Sequence, residues 1–114
     1  MQMILLNLIL AGLAACLTHE GGHYVSARAF GRRLKFRFAW GLLFGAVPIP
    51  RGVWTMPWME RWKQKVVAVS GFGMEFICAL DAAALGWPWL LVVAACHFAA
   101  YPFYAGNASD FKWL

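Results

Sequence analysis

Residues 3–27 read MILLNLILAGLAACLTHEGGHYVSA. No charged side chain precedes Glu20, and the stretch is long enough for an α-helix rising 1.5 Å per residue to cross a hydrocarbon core of about 30 Å. It lacks the basic n-region and cleavage site of a signal peptide, so it reads as a retained membrane segment. Its polar groups gather toward the C-terminal end, in His19-Glu20-Gly21-Gly22-His23.

The composition of the 114-residue chain agrees with that reading: 62% hydrophobic, 17% aromatic and 13% charged. Soluble domains average about 25% charged residues, so too little polar surface is available here to cover a water-exposed shell. The net charge of +5 could suggest nucleic acid, but nine of the ten basic residues (Arg28, Arg32, Arg33, Lys35, Arg37, Arg51, Arg61, Lys63 and Lys65) fall within 28–65. That clustering reports topology and places the segment on the cytoplasmic side of a bilayer. The three cysteines, Cys16, Cys78 and Cys96, sit in apolar runs without a CxxC pair and imply no disulfide framework.

Beyond the first span, residues 34–38 alternate basic with apolar, and Gly41, Gly45, Pro48 and Pro50 punctuate the stretch 41–50. This predicts a short strand pair or a dipping loop. Residues 56–65 read as an interfacial helix, 66–85 as a second span, Gly86-Trp87-Pro88-Trp89 as a turn, and 89–105 as a third span. Trp87 and Trp89 at the outer turn, with Trp54, Trp58, Trp62 and Trp113 near the inner face, fit the interfacial preference of indoles. The expected architecture is an all-α membrane protein forming one domain over 1–114. It has three transmembrane helices, about 3–27, 66–85 and 89–105, with a β-hairpin or re-entrant loop between the first and second.

His19-Glu20-Gly21-Gly22-His23 is an HExxH motif. Four residues apart on a helix, the two histidines project from one face and can bind a single metal ion, while Glu20 is placed to take a proton from a water at that ion. Ionisable groups within a span are costly and mark function by default. Catalytic zinc usually has three protein ligands, so a further donor is required. Asp110, just past the third apolar run, and Glu75, about 14 Å into the second span, are the depth-compatible carboxylates. Asp81 lies too near the outer leaflet, and Glu60 belongs to the interface. His97 lies mid-span, at a depth that does not match His19 and His23, and reads as a hydrogen-bonded packing histidine.

On these residues the sequence resembles the site-2 protease family of intramembrane zinc metalloproteases. The resemblance rests on His19-Glu20-Gly21-Gly22-His23, on Ser70-Gly71-Phe72-Gly73-Met74-Glu75, and on an Asp after the third apolar run, an order that covers nearly the whole chain. It departs from the family pattern in three places: Phe72 replaces a proline, Glu75 an asparagine, and Phe111 the glycine after the aspartate. The resemblance implies a Zn2+ cofactor held by His19, His23 and Asp110, with Glu20 as general base and Glu75 the rival third ligand. It also implies hydrolysis of peptide bonds in transmembrane protein substrates. The family places a membrane-associated β element between the same helices, which favours reading residues 34–50 as an edge for an extended substrate.

The expected setting is a multi-pass protein of a prokaryotic cytoplasmic membrane, with its site toward the cytoplasm and with the lipid bilayer rather than nucleic acid as its surroundings. Two other readings stay open. One is a proteolytically inactive metal-binding protein of the same fold, and the other is a small structural membrane protein.

Overall fold

The structure is a computed structural model that describes residues 2–43 and 46–104. Three helices, α1 (Gln2–Ala29), α2 (Arg61–Ala84) and α3 (Trp89–Tyr104), pack together. Between the first two lies an antiparallel hairpin of β1 (Lys35–Leu43) and β2 (Val47–Thr55), in register from Lys35↔Thr55 to Leu43↔Val47. The chain is therefore mostly helical with a small two-stranded sheet. The connection between α1 and α2 is a hairpin of two nine-residue strands and extends past the expected boundary at residue 50. Phe36, Phe38, Trp40 and Leu42 alternate along β1 and are all exposed, as the period-two geometry of a strand requires of one face.

Glycines end the first two helices by the same device. Gly31 and Gly86 both have positive φ, 74° and 94°. At each, the glycine N–H donates to a carbonyl three residues back and the next N–H reaches five residues back: Gly31 to Arg28 and Arg32 to Ala27, Gly86 to Ala83 and Trp87 to Ala82. This satisfies carbonyls that the helix end would otherwise leave open. The expected interfacial helix over 56–65 is not separate. Residues 56–60 are non-helical, and α2 begins at Arg61, because Pro57 interrupts the run and Met59 turns inward to pack with Ala27 and Val67. Arg61, Lys63 and Lys65 thus belong to the opening of α2. At its start the Trp62 indole donates to Glu60 at 2.7 Å; that bond and the nearby Lys63 ammonium hold the Glu60 carboxyl below the usual carboxylate range.

Small residues line the helix interfaces. Ala11, Ala15, Gly22 and Ala27 are buried along α1, Ala68, Gly71 and Ala79 along α2, and Ala94 on α3. Large apolar side chains point outward, among them Leu5, Leu13 and Leu17 of α1, Ile77 and Leu80 of α2, and Val92 and Phe98 of α3. Two helices, α1 and α2, are long and apolar enough to cross a membrane. One apolar cluster (Ala15, Ala79, Leu90, Ala94) fills the bundle toward the α2–α3 turn, and another (Ala27, Met59, Val67) fills the opposite end.

Between α1 and α2 the backbones approach closely at a glycine. A Cβ added at Gly22 would collide with the Ser70 carbonyl, whereas one at Gly21 would meet nothing within 4 Å among the described residues. Gly22→Ala is therefore expected to destabilise the bundle by about 1–3 kcal/mol through overpacking. Gly21→Ala should leave stability level or raise it by up to about 1 kcal/mol from helix propensity. Thermal unfolding of the two variants in detergent checks the contrast.

Candidate metal centre

The level of the site along the bundle follows from one contact near the α2–α3 turn. The Trp87 indole donates to Asn7 Oδ1 at 2.8 Å, and Asn7 Nδ2 donates in turn to the Met3 carbonyl at 2.8 Å. From this pin, His19 is twelve residues along α1, Glu75 twelve residues back along α2, and His97 ten residues into α3. At 1.5 Å per residue these are all about 15–18 Å from the pin, and the three side chains meet there. His19 Nδ1 lies 3.2 Å from Glu75 Oε1, and His97 Nδ1 lies 2.8 and 3.0 Å from the two Glu75 oxygens. The ligand atoms of His19, Glu75 and His97 fall within 4.8 Å of one another, a group that could hold a metal ion.

His97 therefore does not sit at the separate depth expected of it. Counted from the cytoplasmic ends of the expected spans, it lies eight residues from residue 105 just as His19 lies eight from residue 27, about 12 Å in each case. Counted from the tight turn that joins α2 to α3, it matches Glu75. His97 also continues the inward stripe of α3, between buried Ala94 and Tyr101, and that spacing was legible in the sequence.

The HExxH histidines do converge. Their Nε2 atoms are 3.1 Å apart, both rings are buried, and His23 Nδ1 is 2.7 Å from the Val67 carbonyl. A carbonyl can only accept, so His23 Nδ1 carries the proton and its Nε2 presents a lone pair in the neutral ring. His19 Nδ1 faces the Glu75 carboxylate at 3.2 Å, an ion-pair distance without hydrogen-bond geometry, and a proton on that nitrogen suits the neighbouring negative charge. Held 3.1 Å apart, the two Nε2 atoms can share a proton in a hydrogen bond, and the same pair of nitrogens can share a metal ion in its place. Two nitrogens bound tetrahedrally to zinc at 2.0–2.1 Å would stand about 3.3 Å apart. The donor set fits such an ion.

Gly71 makes the room. A Cβ built there would sit 2.9 Å from His19 Nε2 and closer still to His23 Nε2, in the space between the two nitrogens. Phe72 packs edge-on against the His19 ring, with centroids 4.4 Å apart, and Tyr101 is buried beside it. Glu20 is half-buried on α1 next to His19. Glu75 is fully buried and approaches His19 from the nitrogen opposite the one that faces His23. Asp110, the expected third ligand, lies outside the described residues.

With this geometry established, comparison with known proteins adds nothing to it: no family model, no curated protein and no solved structure matches the chain. What can be said of the site rests on its own chemistry.

The crowding at Gly71 provides a direct check. Gly71→Ala should lower divalent-metal affinity at least about tenfold, on the scale of disturbing a group that orients a metal ligand. Gly73→Ala, where an added Cβ meets nothing within 4 Å among the described residues, should leave the affinity as it is. Competition with a chromophoric chelator measures both.

Proposed function

We propose that the chain is an intramembrane zinc metalloprotease of the site-2 protease type, hydrolysing peptide bonds in or next to transmembrane segments. The observation that carries this reading is the HExxH imidazole pair, with Nε2 atoms 3.1 Å apart and each ring held from behind through Nδ1.

The membrane setting is supported by the distribution of side-chain sizes. Large apolar residues face outward and alanine, glycine and histidine face inward, the arrangement of helices packed within lipid. At 28 and 24 residues, α1 and α2 are about 42 and 36 Å long and exceed a hydrocarbon core. In this reading α3 completes the bundle as the third membrane helix. The basic segment 28–65 faces the cytoplasm.

His19 and His23 would hold zinc through Nε2, with Asp110 as the third donor that the family resemblance implies. When bound, zinc supplies Lewis-acid chemistry, making water nucleophilic near neutral pH and polarising the scissile carbonyl. Glu20 is the general base: its carboxylate takes the proton from the attacking water and passes it to the leaving amine. Phe72 and Tyr101 close the flank of the site beside His19. A membrane helix arrives with its amides already hydrogen-bonded, so the substrate has to be drawn into extended form. The outer edges of the β1–β2 hairpin offer backbone groups for that pairing.

Glu20→Gln separates this reading from that of an inactive metal-binding protein. The variant should retain zinc yet cleave a model transmembrane substrate in detergent about 10²–10⁴-fold more slowly, while His19→Ala should lose the metal itself. Undiminished cleavage by Glu20→Gln would contradict the proposal.

A further inference from the structure

Glu75 and His97 have no part in the motif, yet Glu75 is wholly buried at ion-pair distance from one of its members, His19. Glu75 is 0% exposed, and at the same level the half-buried His97 is flanked by Phe72 and Tyr101, with ring centroids 5.1 and 5.8 Å away. A carboxylate taken out of water is costly by several kcal/mol unless paired and hydrogen-bonded. Here His97 Nδ1 hydrogen-bonds the carboxylate at 2.8 and 3.0 Å, and His19 Nδ1 lies at ion-pair distance, 3.2 Å, without hydrogen-bond geometry.

We propose that Glu75 and His97 are a positioning pair for His19, fixing which of its nitrogens faces His23. The inference rests on the reading that His19 and His23 bind a metal ion through Nε2.

Three features carry it. First, a carboxylate on Nδ1 keeps the proton at that nitrogen, so the lone pair is at Nε2; this also raises the basicity of the ligand nitrogen. Second, the two histidines are secured by different means. His23 is anchored by a backbone carbonyl of α2, which no side-chain replacement at Val67 removes. His19 is anchored by a flexible glutamate side chain, which has to be held in turn. His97 does this by engaging both carboxylate oxygens, and Oε1, which it holds at 2.8 Å, also lies 3.2 Å from His19 Nδ1. Third, one nitrogen of His19 cannot serve two ends. An ion shared with His23 on the Nε2 side leaves Glu75 and His97 on the far side of the ring, where they act through His19.

The test uses the full chain purified in detergent micelles, with Zn2+ affinity measured by chelator competition and the ligand field read from the visible spectrum of bound Co2+. His97→Leu removes the donor to Glu75. It should weaken Zn2+ binding by about 10–100-fold while the Co2+ bands keep their position and intensity, since the ligands themselves are unchanged. His97→Asn, whose side-chain amide can place an N–H near the position of Nδ1, should restore most of the affinity. Glu75→Gln, which fills the same volume, gives a second route to the same loss if His97→Leu fails to fold. Unchanged affinity in a folded variant lacking either group would overturn the proposal. So would a Co2+ spectrum altered to that of a smaller ligand set, which would make Glu75 or His97 a metal ligand. A wild-type chain that takes up neither metal would overturn the underlying HExxH reading as well, and so is distinct from both.

Discussion

The contact between α1 and α2 at Gly22 and Gly71 is the constraint on which the site depends. Gly22 lies against the Ser70 carbonyl, and Gly71 lies beneath the two Nε2 atoms of His19 and His23. These contacts admit no side chain at either position, so α1 rests close against α2 with its histidines folded over a glycine backbone. That closeness brings the Val67 carbonyl to His23 Nδ1 and the Glu75 carboxylate to His19 Nδ1. Wider helix spacing would leave two histidines on one helix face without the groups that orient them.

The histidines and Glu75 form a polar layer between apolar clusters at the two ends of the bundle. In such surroundings a polar network is stabilising only when its members are satisfied, and the low local dielectric strengthens each bond within it. This explains why Glu75 can be wholly buried: it receives the His97 N–H of α3 on both oxygens and has His19 of α1 at ion-pair distance. It also explains the aromatic packing. Phe72 touches the rings of His19, His97 and Tyr101, filling space around the imidazoles and limiting their rotation.

The parts of this arrangement that were legible in the sequence are those carried by local spacing. HExxH put two histidines on one helix face because i and i+4 always share a face. Gly86 within an aromatic turn marked the α2–α3 connection, and the alternation after Leu34 marked the strand that became β1. The meeting of His97 with Glu75 was harder to see, because it depends on how three helices are aligned lengthwise. Reading His97 simply as mid-span assigned it to another level, although counting from the cytoplasmic ends of the spans puts it eight residues from residue 105 and His19 eight from residue 27. Counting from the α2–α3 turn matches it with Glu75 as well, and the pin that relates α1 to that turn, Trp87 to Asn7, spans eighty residues of sequence. The start of α2 was displaced for a similar reason, since Met59 turns inward to meet Ala27 and Val67 from distant parts of the chain.

The central claim is that the Nε2 atoms of His19 and His23 share one metal ion. X-ray absorption at the zinc edge, on the full chain loaded with one equivalent of Zn2+, addresses it most directly. The account predicts a first shell containing two imidazole nitrogens at about 2.0–2.1 Å, unchanged in a His97→Asn variant and reduced in His23→Ala. A first shell that keeps both imidazoles in His23→Ala would place the ion on the Glu75–His97 side of His19 and contradict the account.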